Sequence, residues 1–298
     1  MDRMDQSTRL QSLTVAIAGL GLIGGSMAMA LRRHSGCRVL GIDRDPGVLQ
    51  AARERKAVHA VGGPELLREA DLLVLALAPE SAIAFLRENR ALLPSGTVVT
   101  DVCGVKRAVV EVCSSLCRES GLHFIGGHPM AGKEHSGFSN ADAGLFQGAS
   151  YILTPEKDTP PAALSLLQEL ASALGCGRIT VTTPDHHDRM IAFTSQLPHV
   201  LAGAYVKSPR CPEHNGYSAG SYRDVSRVAT VDEKLWSQLF LLNADHLTEE
   251  IDTLIANLTA CRDAVAAGDH SRLEDVLRRG REIKEGLLVP MGLPPDAD

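Results

Sequence analysis

Two groups of residues in this 298-residue chain have types and spacing suited to chemistry. The first is His128 and Glu134 in the stretch G-G-H-P-M-A-G-K-E over 126–134, expected to form a glycine-punctuated loop just beyond a short apolar strand. A neutral imidazole there, with an ordinary pKa of about 6.5, can accept a proton near physiological pH. The second lies upstream, where residues 15–24 read V-A-I-A-G-L-G-L-I-G. An apolar strand running into Gly19, Gly21 and Gly24 is the pattern of a mononucleotide-binding turn. The first glycine allows the tight turn, the second lets backbone approach a pyrophosphate, and the third lets helix pack on strand. Leu22 and Ile23 open the helix whose N-terminus would meet the phosphate. Asp43 follows Gly24 by 19 residues, where a carboxylate can accept from ribose hydroxyls and would repel a 2'-phosphate. That selects NAD over NADP, with Arg44 leaving some tolerance for the latter.

The elements that must position these groups alternate along the first three fifths of the chain. Apolar runs at 15–18, 39–42, 72–77, 98–100, 124–125, 151–153 and 179–181 read as strands, separated by helical stretches at 26–33, 47–55, 81–92, 107–117 and 162–174. The expected fold class is α/β: an N-terminal doubly wound, largely parallel sheet covered by helices, followed by an all-helical C-terminal dimerisation domain. Strand signals fade after Pro184, and 185–206, 232–258 and 271–287 read as helices. The boundary is therefore set between a dinucleotide domain over 1–183 and a helical substrate and dimerisation domain over 184–298. Apolar faces on these long helices would leave a large patch on a single subunit, which implies a homodimer.

Composition removes several classes. A net charge of -6 supplies no basic footprint for nucleic acid. No apolar run is long enough to span a bilayer, and the polar N-terminus lacks a signal-peptide layout, so the expected location is cytoplasmic. Seven scattered cysteines without C-x-x-C spacing read as reduced thiols; Cys113 and Cys117, one turn apart, read as core. The D-H-H-D run over 185–188 has the residue types of a metal site but reads as the cap of the helix that follows, and no metal is expected.

Three further motifs carry a family resemblance. Residues 126–132 (G-G-H-P-M-A-G), 195–199 (S-Q-L-P-H) and 222–227 (Y-R-D-V-S-R), in this order behind the glycine turn, strongly resemble the prephenate dehydrogenases, which include the arogenate dehydrogenases. The likeness runs from about Leu13 to about Leu288. It implies a small-molecule substrate, prephenate or arogenate, oxidised with NAD at its 4-hydroxyl carbon with loss of carbon dioxide. It also implies that His128 accepts the hydroxyl proton, that His199 and Ser195 project from one helix face into the substrate pocket, and that Arg227 grips a substrate carboxylate. Arg223 competes for that task, and Glu134 gates the site by pairing with a cation. Lys106 is a weaker carboxylate ligand, read instead as the start of a helix. Where many family members carry serine in a D-x-x-S-x-K segment, this chain has Gly104. A non-catalytic NAD(H)-sensing protein is the reading from another class; it has no need of His128, His199 and Arg227 together.

Overall fold

The computed structural model describes residues 9–133 and 135–288. Eight strands form one sheet: β1 (Thr14–Ala18), β2 (Arg38–Ile42), β3 (Ala60–Gly62), β4 (Leu72–Leu75), β5 (Val98–Asp101), β6 (His123–Pro129), β7 (Ser150–Thr154) and β8 (Arg178–Val181), in the spatial order β3-β2-β1-β4-β5-β6-β7-β8. Every pairing is parallel except β6 with β7. The central strands are buried on both faces, as helical crossovers demand: β1 and β4 are apolar almost throughout, and β5 buries Thr100 and Asp101 along with its two valines. The crossovers are α1 (Leu22–His34), α2 (Pro46–Glu54), α3 (Pro79–Asn89), α4 (Arg107–Glu119) and α5 (Pro161–Ala173). Two apolar clusters, one on each face, hold the layers together. Strand order reverses between β1 and β4, and in such sheets the crevice outside the strand C-termini at that switch point is where ligands bind.

Past β8 the chain is helical: α6 (Pro184–Ile191), α7 (Leu197–Tyr205), α8 (Gly220–Ser226), α9 (Glu233–Leu241), α10 (Ala244–Ala267) and α11 (His270–Leu288). The expected single helix over 185–206 is two helices joined by a π-helical turn, Ala192–Gln196. Pro198 stands in the first turn of α7, and its missing N–H is absorbed where the ladder has already shifted register. The expected helix over 232–258 breaks at Asn243, whose side chain turns inward: Nδ2 donates to the Asp188 carbonyl and to Gln196 Oε1, both at 2.8 Å. The short edge strand β3 had no apolar run to announce it.

The chain separates into two compact units, Met1–Ala244 and Asp245–Asp298. The first holds the sheet and helices α1 to α9. The second consists of α10 and α11, and presents Ile255, Leu258, Val265, Leu277 and Ile283, each more than half exposed. No described helix is long and apolar enough to cross a membrane. All seven cysteines are free, and Cys113 and Cys117 lie in the core.

Candidate active site

The glycine turn is shaped by contacts that only glycine permits. Gly19 holds φ at +92°, and a Cβ there would lie 2.4 Å from the Ala76 carbonyl oxygen. A Cβ on Gly24 would fall 1.9 Å from the Gly19 carbonyl oxygen. Beside these crowded positions Gly21 faces open space, and as the N-cap of α1 it brings no side chain to the helix's first N–H groups. That end is an open cradle for a pyrophosphate. Asp43 ties the turn to β2: Oδ2 accepts from Leu20 N at 2.8 Å and Oδ1 from Asp45 N at 2.9 Å. Each oxygen keeps a lone pair for a ribose hydroxyl. Arg44 is exposed beside it. These residues fit a dinucleotide.

The turn opens into a cleft of about 1070 Å³ whose lining includes Gly21, Leu22, Ile23, His128, Ser195, His199 and Arg227. Arg223 does not line it. Glu134 lies outside the described residues. Gly104 lies in the wall, and a Cβ there would meet only Leu239, at 3.6 Å, so the position has room for a side chain that the sequence does not supply.

His128 is a strand residue and not a loop residue, a correction to the sequence expectation. It pairs with Ile152 across the antiparallel β6–β7 ladder. The two glycines before it obscured this, because glycine is a poor strand former; here Gly127 admits a close approach, with the Asp101 carbonyl oxygen only 2.6 Å from where its Cβ would be. Both backbone groups of Gly127 are clamped by a fully buried ion pair: Asp101 Oδ1 accepts from its N–H at 3.1 Å, and Lys106 Nζ donates to its carbonyl at 2.7 Å while pairing with Asp101. Lys106 is thus spent inside the protein as the N-cap residue of α4 and does not reach the cleft.

Behind His128 runs a chain of hydrogen bonds. Its Nδ1 lies 2.8 Å from Nε2 of His187, and His187 Nδ1 lies 2.7 Å from Asp188 Oδ1. The Asp188 carboxylate also caps α4, accepting from Lys106 N at 2.7 Å and Arg107 N at 2.8 Å. The cap of α6 is Thr183, whose hydroxyl accepts from His186 N. The 185–188 run therefore does something other than the expected capping: Asp185 meets Arg107 and Arg189 at the surface, while His187 and Asp188 are buried against β6 and α4. A carboxylate accepts only, so His187 carries its proton on Nδ1 and offers Nε2 to His128. His128 then carries its proton on Nδ1 and is left with a bare Nε2. Burial, reinforced by His187 and the Lys106 charge, holds the His128 pKa well below the usual histidine range. Burial also lowers that of His187, while its bond to Asp188 works the other way.

His199 is fixed by a similar device. Its Nδ1 lies 2.8 Å from the Ser195 carbonyl, and its ring stacks on Trp236 at a 3.7 Å centroid separation. Burial lowers its pKa; the Ser195 bond opposes this, and the nearby Arg227 charge adds to it. The π-turn that presents Ser195 is pinned by Gln196, which donates to the Leu239 carbonyl at 3.1 Å. Asp101, His187, Asp188, Trp236 and Asn243 were not read as site residues from the sequence. The nearest signal was the D-H-H-D run itself.

The chain is similar to known proteins over most of its length. Residues 27–180 match the family model described as prephenate dehydrogenase, nucleotide-binding domain, and residues 183–279 the model described as prephenate dehydrogenase, dimerization domain. Cyclohexadienyl dehydrogenase of Zymomonas mobilis is 33% identical over 94% of this chain and 98% of its own length. Prephenate dehydrogenase of Bacillus subtilis is 30% identical over 92% of this chain and 76% of its own. Among solved structures, Synechocystis arogenate dehydrogenase superposes with a TM-score of 0.78 at 28% identity, covering 92% of this chain and all of that one. For the fold alone, prephenate dehydrogenase from Aquifex aeolicus, solved with hydroxyphenyl propionate and NAD+, gives a TM-score of 0.84 at 24% identity over 94% of this chain and all of that one. The chain belongs to the prephenate dehydrogenase family.

Proposed function

We propose that the chain is an NAD-dependent prephenate dehydrogenase, converting prephenate to 4-hydroxyphenylpyruvate and carbon dioxide on the route to tyrosine. The observation that carries this reading is a histidine, held through Nδ1 by a buried partner, in a cleft that also contains the dinucleotide turn and an arginine. Bound at the turn, NAD supplies the hydride acceptor. Gly19, Gly21, Leu22, Ile23 and Gly24 hold its pyrophosphate, and Asp43 its ribose. His128 Nε2 accepts the proton of the 4-hydroxyl as hydride leaves the same carbon, and its depressed pKa keeps the ring neutral for that task. Arg227 receives a substrate carboxylate through two parallel hydrogen bonds. Ser195 and His199, held by the π-turn and Trp236, line the same pocket. Arg223 is assigned no contact with the substrate. The helical region from 184 onward forms the substrate wall and the homodimer, whose apolar α10 and α11 faces a second copy covers. Seven free cysteines suit the cytoplasm.

Arogenate is the second reading, supported by the 28% identical arogenate dehydrogenase. Arogenate carries an ammonium where prephenate has a keto group, and an ammonium needs an acidic partner. Among the described residues lining the cleft the one carboxylate is Asp232, whose Oδ1 already caps α9 through Lys234 N and Leu235 N. Prephenate, a dianion, is the better match. Steady-state assays with prephenate and arogenate, each against NAD and NADP, test the proposal. The highest kcat/KM is expected for prephenate with NAD; turnover with neither substrate would leave only a binding role.

A further inference from the structure

The oxidation has a proton balance that the buried chain behind His128 matches. A substrate dianion and NAD+ become a product monoanion, carbon dioxide and NADH, so no proton is released overall. Hydride leaves the 4-carbon with its electron pair, and the hydroxyl proton passes to His128 Nε2. When the ring carboxylate departs as carbon dioxide, the electron pair of the broken carbon–carbon bond enters the ring and leaves the oxygen a phenolate. That oxygen, with a phenol pKa of about 10 against about 6.5 for imidazolium, takes the proton back. The proton is borrowed, and the site needs somewhere to hold it.

We propose that His187 and Asp188, acting through His128, are the store for that proton, an inference that rests on the prephenate dehydrogenase reading. Because the Asp188 carboxylate only accepts, a neutral His187 directs the hydrogen bonds of the chain one way, from His128 Nδ1–H to His187 Nε2 and from His187 Nδ1–H to Asp188 Oδ1. When His128 gains a proton on Nε2, its Nδ1 proton can shift across 2.8 Å to His187. The positive charge then rests 2.7 Å from a carboxylate, on a ring farther from the reacting carbon. His187 is 1% exposed and Asp188 0%, so a proton held there is set back from the cleft and can return to the reacting oxygen through His128. Burial and the Lys106 charge work against a proton on His187, while the bond to Asp188 and the Asp188 and Asp101 charges work for it; at His128 burial, His187 and Lys106 all work against one. From α4, the Lys106 ammonium is paired with Asp101 of β5, and the Arg107 guanidinium sits 3.5 Å from the far Asp188 oxygen and 3.7 Å from Asp185 of α6. From β6 the facing group is His128 itself. His187 is thus a positioning residue that also accommodates charge, in contrast to a side chain that merely orients its neighbour.

His187→Gln separates these roles, because a glutamine amide can still accept from His128 Nδ1–H and donate to Asp188 but cannot hold the charge. In single-turnover NADH formation, H187Q should lose at least tenfold in rate with the KM for prephenate within twofold. The proton inventory in mixed H2O and D2O should be curved for the parent, with two protons moving, and linear for H187Q. Retention of more than half the parent rate by H187Q, or a linear inventory in the parent, overturns the proposal. Nitrogen-15 NMR of the imidazoles in the cofactor-free parent adds a test that no variant's misfolding can obscure: Nδ1 protonated and Nε2 bare is expected for both rings, and a protonated His187 Nε2 overturns the store. If His128→Asn instead keeps its activity, the assignment of the acceptor fails, whatever H187Q does.

Discussion

The two walls of the cleft are built by different physics. The cofactor wall is a matter of backbone: strand ends, one positive-φ glycine and a helix terminus kept bare, with each requirement falling on a residue within a short window of sequence. The catalytic wall is a matter of side chains drawn from distant segments. His128 meets His187 across 59 residues, and Lys106 meets Asp188 across 82. A backbone wall breaks when atoms are added, whereas a side-chain wall breaks when a partner is removed.

Removing a charge should have the largest effect. Lys106→Ala leaves Asp101 buried without its cation, and breaking a buried pair in this way typically costs about 3–5 kcal/mol. Because the same pair clamps Gly127, urea unfolding should report a loss of that size, with activity falling further than the loss of folded protein explains. Arg227→Ala should lower kcat/KM for prephenate by at least about a hundredfold, with NAD affinity nearly unchanged. A change below tenfold would return Arg223 to consideration. On the opposite wall, Gly24→Ala drives a methyl against the Gly19 carbonyl; overpacking of this kind costs about 1–3 kcal/mol. Calorimetry should show weaker NAD binding while the KM for prephenate holds. Asp43→Ser should have the smallest effect, narrowing the preference for NAD over NADP. It also removes the acceptor for Leu20 N, so NAD binding should weaken alongside.

This contrast also explains what could be read from the sequence. The strand–glycine–helix unit and Asp43 were legible because their physics is local, and the three motifs placed His128, His199 and Arg227 in one cleft by resemblance. What was hidden needed the third dimension. Asp101 follows the expected strand over 98–100 and drew no reading of its own, and Lys106 looked like a helix start. His187 and Asp188 looked like a surface cap, because nothing within a few residues of them signals burial against β6 and α4. The π-turn was hidden too: an apolar periodicity continues through it, and only its partners, Gln196 with the Leu239 carbonyl and Asn243 with Gln196, give it away. Gly126 and Gly127 hid the far half of β6 by lacking the side chains that mark a strand.

Catalysis on this reading turns on His128, held neutral by its surroundings, accepting the hydroxyl proton. A group whose pKa is depressed stays neutral to lower pH, so the acid limb of activity must lie on the acid side of the ordinary histidine value of about 6.5. The direct test is the pH dependence of kcat/KM for prephenate, which reports the free enzyme, in the parent and in His128→Asn. The parent limb should fall below about pH 6.5, and the variant should be slower by at least about a hundredfold with that limb gone. An H128N enzyme that keeps most of its kcat and the same acid limb would contradict it and move the acceptor elsewhere, with His199 first in line.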